Sequence, residues 1–255
     1  MIANLDELLV ALSRGRTEIL RKASASIGTF GIADYFFYPG VPGPGNVSSL
    51  DEHGEFPSRA TPGSFTLPDV TGEELYIGKV VVAGSAVGYL EFYDRIWHNN
   101  APADGTEHEV EWPDGEQRHA DGIGVWPMLS VTATASATTA TITIVDSDEL
   151  EHEVAVSVPA NSGTGRAFMF DLPGGVRGVK RISKFHLDSA SGGFSLSLIK
   201  PVTAIGLMGS AAPASLEGLS LGLPSIHPEA CLSVRNHTIG SESGNVAGAV
   251  TFVRG

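Results

Sequence analysis

The chain has a single cysteine, Cys231, in 255 residues, so no internal disulfide can form. Manufacture in a reducing compartment is the expectation. No apolar run approaches the roughly 18 residues of a membrane span. Residues 1–7 carry acid where a secretory leader carries base. Without secretion, the glycosylation sequons at Asn46 and Asn236 have no meaning. Basic residues are also scarce: 16 against 29 acidic ones, for a formal charge of -13. An acidic surface repels nucleic-acid phosphates and anionic membranes, so neither a nucleic acid nor a membrane is the expected partner. Helix-forming stretches are few after the first 25 residues.

What is abundant points to β structure. The 31 Gly and 15 Pro mostly separate short runs of Val, Ile, Thr, Phe and Tyr, residues that suit a half-buried pleated surface. Strands are predicted over 30–38, 75–83, 87–97, 125–133, 139–145, 153–158, 168–172, 179–187, 194–201, 232–234 and 247–253. Residues 139–145, Thr-Ala-Thr-Ile-Thr-Ile-Val, alternate with the period of a strand. Turns every 8–12 residues suggest a sandwich. The predicted class is mostly β, an antiparallel, jelly-roll-like sandwich over 29–255, with long loops at 39–73, 98–124 and 203–229.

The exception is a helix over 4–14, within an arm of residues 1–28. Leu5, Leu8, Leu9 and Leu12 share a helical face. Asn4 is placed to cap the first turn with Glu7, and Gly15 to stop the last. Residues 16–27 extend this helix or form a linker. The leucine face either packs on its own domain or docks on a neighbouring subunit. The run Pro39-Gly40-Val41-Pro42-Gly43-Pro44-Gly45 excludes helix and inner strand. A loop as long as 39–73 is unusual in a compact domain, and implies a functional loop or one ordered by a partner. Leu5, Leu8, Leu9, Leu12, Tyr38, Pro39, Pro42 and Pro44 are the candidate interface residues, within an arm and a loop that runs on to Pro68.

Four constellations could carry chemistry. Asp146, Asp148 and Glu149, with Glu151 and Glu153, gather oxygens of the kind calcium takes, though not at EF-hand spacing; a solvated turn explains them as well. His98, His108, His119 and Asp121 are zinc-ligand types at intervals too wide for a tight ligand pair. Gly218-Leu219-Ser220-Leu221-Gly222 fits a serine-hydrolase pattern, but Pro224 and the missing βαβ alternation deny it the strand-to-helix turn it needs. Trp97 and Trp126 lie in apolar runs and belong in a core, whereas Trp112 sits among acids as the better exposed contact. No base precedes Arg235 near Cys231, which argues against a reactive thiolate. No catalytic residue and no cofactor is expected.

Several segments together resemble tailed-bacteriophage virion structural proteins. They are Ile2-Ala3-Asn4-Leu5-Asp6-Glu7-Leu8, Tyr35-Phe36-Phe37-Tyr38-Pro39-Gly40, Leu90-Glu91-Phe92-Tyr93-Asp94-Arg95-Ile96, Thr139 to Ile144 and Gly175 to Ile182. The resemblance implies a non-enzymatic virion component made in a bacterial cytoplasm, a capsid decoration or minor head protein. Its implied partners are the major capsid protein or other virion subunits and copies of itself, a homo-oligomer such as a trimer. The acidic run from Asp146 to Glu153 departs from that family's neutral, amide- and Gly-rich turn. A tail or adhesion module binding host glycans is the alternative, and a hydrolase acting through Ser220 a third reading.

Overall fold

The computed structural model describes residues 2, 5–25, 31–47, 53–113, 117–209, 213–217, 220, 222–239 and 244–255. One helix, α1 (Leu5–Ser13), precedes the strands. In chain order these are β1 (Arg16–Ala25), β2 (Ile32–Asp34), β3 (Gly40–Val41), β4 (Leu75–Gly84), β5 (Val87–Asn100), β6 (Glu107–Glu109), β7 (Trp126–Ala133) and β8 (Thr138–Asp146). There follow β9 (Glu151–Val158), β10 (Arg166–Met169), β11 (Val179–Leu187), β12 (Gly193–Met208), β13 (Pro213–Glu217), β14 (Ser225–Ile226), β15 (Leu232–Thr238) and β16 (Gly244–Arg254). The fold is mostly β with antiparallel sheets in a jelly-roll-like sandwich arrangement, as the composition predicts.

The chain divides into two compact units. One comprises Met1–Gly45, Ser58–Asp94 and Val202–Gly255; the other Asn46–Pro57 and Arg95–Pro201. Two of the four divisions fall inside β5 and β12. The first unit carries the sheet β13-β4-β16-β1-β3, and β15 pairs there with β2 and with the first half of β5. Its core gathers Leu20, Tyr35, Phe65, Ile77, Phe92 and Phe252 among others. The second unit carries the sheet β6-β11-β8-β9, and β7 pairs there with β10 and the start of β12. Its core is built around Trp97, Ile142, Ile144, Phe170, Phe185 and Leu196.

Three readings of the sequence are corrected. Residues 16–25 neither extend the helix nor form a linker: they are a ten-residue strand paired with β16. The predicted loop at 203–229 holds the end of β12 together with β13 and β14. The predicted strand at 30–38 is three residues of β2 followed by a 3-10 turn, Tyr35–Phe37, capped by the Asp34 carboxylate, which accepts from Phe36 N at 3.1 Å.

In the first unit, residues 58–73 of the loop at 39–73 are ordered by their own chain. Phe65 and Leu67 are buried among core residues. Phe65 N donates to Leu232 O at 2.9 Å, and Arg59 Nη2 to Leu67 O at 2.8 Å. Gly63, Phe65 and Leu67 are buried alternately, as in a strand, and Pro68 follows them in. The second unit's loop at 98–124 includes the short β6.

Candidate protein-binding surface

The helix meets its own unit through one narrow face. Leu8 and Ala11 are buried against Tyr76, Val253 and Ile2, with Leu12 packed beside them. Leu5 and Leu9 each stay 55% exposed and Val10 52%. A step of about 100° per residue explains the split. Contact is centred on Leu8 and the small Ala11, where the helix can approach the sheet closely, and this turns Leu9 and Val10 away from it on opposite sides. The leucine stripe therefore divides between the domain and solvent. Asp6 and Glu7 occupy the first turn, where the helix dipole favours them. The position of Asn4 lies outside the described residues.

The helix ends as the sequence indicates. Gly15 N donates to Leu12 O at 3.2 Å. A side chain on Gly15 would meet Thr251 Cγ2 at 2.8 Å and the Phe252 carbonyl at 3.0 Å. Glycine is needed there because the turn into β1 passes tight against β16. A groove of about 530 Å³ opens beside the helix, lined by Ile2, Val10 and Ala11 with Asp6, Glu7 and Arg254 around it.

The proline-rich segment is held from beneath by Lys22. This side chain is 2% exposed. Its ammonium donates to the carbonyls of Tyr38 (3.1 Å), Pro42 (2.8 Å) and Gly43 (3.4 Å). Burial pulls its pKa down to about 8, against the opposing pull of the Asp34 carboxylate. Pro39 and Pro44 are exposed, while Pro42 and Tyr38 are half-buried. Tyr38 packs edge-on to Tyr35 with ring centroids 5.5 Å apart.

The candidate chemical groups have local partners instead. Asp146 is buried, and its carboxylate accepts from Asp148 N (2.7 Å) and Leu150 N (3.0 Å) and meets His152 Nε2 at 2.8 Å. The Leu150 N–H leads in holding that carboxyl below its ordinary pKa. Asp148 pairs with Arg177 and Glu149 with Lys180. The acidic turn is thus the tip of the β8–β9 hairpin, with Asp146 as its internal cap. His98 is buried against Glu55 at 2.6 Å, His108 meets Asp104 at 3.1 Å, and His119 Nδ1 lies 3.1 Å from Lys200 Nζ. The three imidazoles go to three different partners. Among the described residues no group of three or more His, Cys, Asp or Glu is placed to hold a metal.

Trp112 is not the exposed contact expected of it. It is half-buried and stacks on Trp97, centroids 5.4 Å apart, with Phe56 edge-on to it. Its acidic neighbours in sequence concealed an apolar neighbour in space. Ser220 is exposed in a turn; Gly218, Leu219 and Leu221 of the same motif lie outside the described residues. Cys231 is fully buried, and its N–H donates to Asp94 Oδ1 at 2.9 Å.

Two features of the first unit have no motif in the sequence. Glu91 takes Arg235 Nε and Nη2 at 2.9 and 3.0 Å and meets His237 Nε2 at 2.9 Å. Burial pushes the Glu91 carboxyl up, but the hydrogen bonds from His237 and Arg235 outweigh it and leave its pKa lowered. Burial lowers His237, with Glu91 opposing. The direct cross-strand pairing of Glu91 with Arg235 and Tyr89 with His237 builds this cluster; residues so far apart in sequence give no local signal. The second feature is the outer edge of β1, where Ile19 is 62% exposed.

The fold and these surfaces define an antiparallel β protein with an exposed apolar helix flank. No family model matches the chain, and no curated protein matches it. Among solved structures, it is similar to the VP2 subviral particle of infectious bursal disease virus at 11% identity, over 94% of this chain and 80% of that one, with a TM-score of 0.20. The Gt strain of the same virus gives 11% identity, the same coverage and a TM-score of 0.18. Xylanase 10B modules of Clostridium thermocellum, complexed with xylohexaose, give 13% identity over 72% of this chain and 28% of that one, with a TM-score of 0.20. Superpositions this poor carry no argument about function. The resemblance to tailed-bacteriophage virion proteins is corrected by these comparisons: the virus proteins found are of infectious bursal disease virus.

Proposed function

We propose that this chain is a non-enzymatic structural subunit of a virus-particle shell, working by binding other protein subunits, copies of itself included. The observation that carries the reading is the divided helix: α1 is anchored by Leu8 and Ala11 while Leu5 and Leu9, one turn apart, and Val10 stay exposed. An exposed apolar flank on an anchored element is the kind of surface a protein partner covers. Charge supports the same reading, since a strongly acidic chain stays soluble at high concentration before assembly. The local partners of Asp146, His98, His108 and His119 give these groups structural work, which further supports a role in assembly over chemistry. Repetition around a shell then multiplies weak contacts through effective concentration.

Sedimentation of the purified chain over a range of concentrations tests this. The native chain is expected to assemble, and Leu5→Ser with Leu9→Ser to weaken assembly by about tenfold or more, as loss of two apolar contacts implies. Equal assembly by both proteins would remove the helix from the interface. A native chain that stays monomeric throughout, and binds no shell subunit, would overturn the reading.

A further inference from the structure

The first unit's sheet has an open edge at β1. On one side β1 pairs with β16 from Arg16 through Lys22. On the other it meets β3 at Arg21 and Lys22 only. Ala23 N donates to Pro39 O on that side, so the odd-numbered residues turn their backbone groups towards it. Arg21 is occupied there by Val41. Among the described residues, Thr17 and Ile19 have no strand neighbour on that side. Both side chains are exposed. An open edge is a template for another strand.

We propose that a second copy of this chain adds its β1 to this edge, antiparallel, with the two Thr17 residues facing each other across a twofold axis. The proposal rests on the subunit-binding reading and names one partner and one contact for it.

The register follows from the residues. A twofold axis perpendicular to a continuous sheet opposes residues of the same parity, because directly opposed side chains share a face. It therefore passes through one residue of the free stretch. Centred on Ile19, it opposes Thr17 to the partner's Arg21, whose backbone is already bound to β3. Centred on Glu18, it sets two carboxylates directly opposite each other, which is destabilising. Centred on Thr17, it sets Arg16 opposite the partner's Glu18 and Glu18 opposite the partner's Arg16. Within one chain Arg16 Nε already reaches Glu18 Oε1 at 2.6 Å, so both lie on one face, and pairing completes a square of alternating charge. Gly15 then lies opposite the partner's Ile19 and brings no side chain to that position. Charges usually guard an open edge against pairing. Here they alternate in sign, so they select a register.

Analytical ultracentrifugation of the full chain tests the contact, with circular dichroism to verify folding. Thr17→Pro removes the outward N–H at the axis and leaves the even-numbered donors to β16 intact, a position where an edge tolerates proline. It is expected to weaken dimerisation by about tenfold or more, through loss of the paired backbone hydrogen bonds. Arg16→Glu and Glu18→Arg are each expected to weaken it, and the two together to restore it. A native chain without a dimer, or a dimer unmoved by Thr17→Pro and by both charge reversals, would overturn the proposal. If Thr17→Pro fails to fold, the charge series decides alone. Loss of assembly in the Leu5 and Leu9 variant with no response to the edge variants would sink the edge contact and leave the subunit-binding reading standing.

Discussion

Neighbouring residues on α1 show how little the residue type alone determines. Leu8 and Leu9 are the same side chain, one buried and the other more than half exposed. Leu8→Ala is expected to cost about 2–4 kcal/mol, the transfer and cavity terms of a core leucine. Leu9→Ala is expected to change stability by no more than about 0.5 kcal/mol, as exposed substitutions do; urea denaturation of the two variants measures both. Lys22 makes a different case. Its pKa is about 8 in the folded chain against an ordinary value of 10.5. Between those two values the unfolded chain holds more protons than the folded one, so stability rises with pH across that window. The same experiment on Lys22→Met should lose this rise; an unchanged slope would show that Lys22 titrates normally. His237, lowered by burial, works at the acid side by the same logic. Below about 6.5 the unfolded imidazole takes up a proton that the folded one resists, and stability falls as pH drops.

At the scale of elements, the β8–β9 hairpin is set by its own turn. Asp146 accepts two backbone N–H groups within four residues and meets His152. Asp146→Ala is expected to lower the melting temperature, and added calcium to leave the native melting curve in place. A calcium-dependent rise would revive the metal reading of that turn. Such local elements are the ones a sequence displays. The Thr and Ile alternation marked β8, and β11 occupies the span 179–187 that its apolar run and flanking turns indicate. β1 was hidden because it is charged: Arg16, Glu18, Arg21 and Lys22 read as helix or linker, and only pairing with β16, 234 residues on at Thr17 and Thr251, makes a strand of them. The strands between 203 and 226 were hidden by small residues, which pack against neighbours the local sequence does not reveal. At the candidate surface the helix and its leucines were legible. How they divide between domain and solvent was not, since Ala11 and its closeness to Tyr76 and Val253 set the rotation.

For the whole molecule, charge decides how assembly answers to salt. Copies that each carry -13 repel one another, and added salt screens that repulsion within about 10 Å at 0.1 M. Association is therefore expected to tighten as salt rises from low ionic strength, measured by sedimentation. Weakening instead would mean that the opposite-sign pairs at the contact outweigh the net charge. The order of the strands has a consequence for how the molecule is made. The sheet of the first unit places β16 between β4 and β1. As the ribosome delivers the chain, β1 emerges well before its sheet partner β16, which lies 234 residues on at the Thr17–Thr251 pair. All of Arg95–Pro201 is outside by then and has every strand of its own unit. The nascent chain must therefore carry α1 and β1 without β16, with only the short β3 beside them, while that whole stretch is made. The charges on β1 that conceal it from pattern reading also keep that waiting segment soluble.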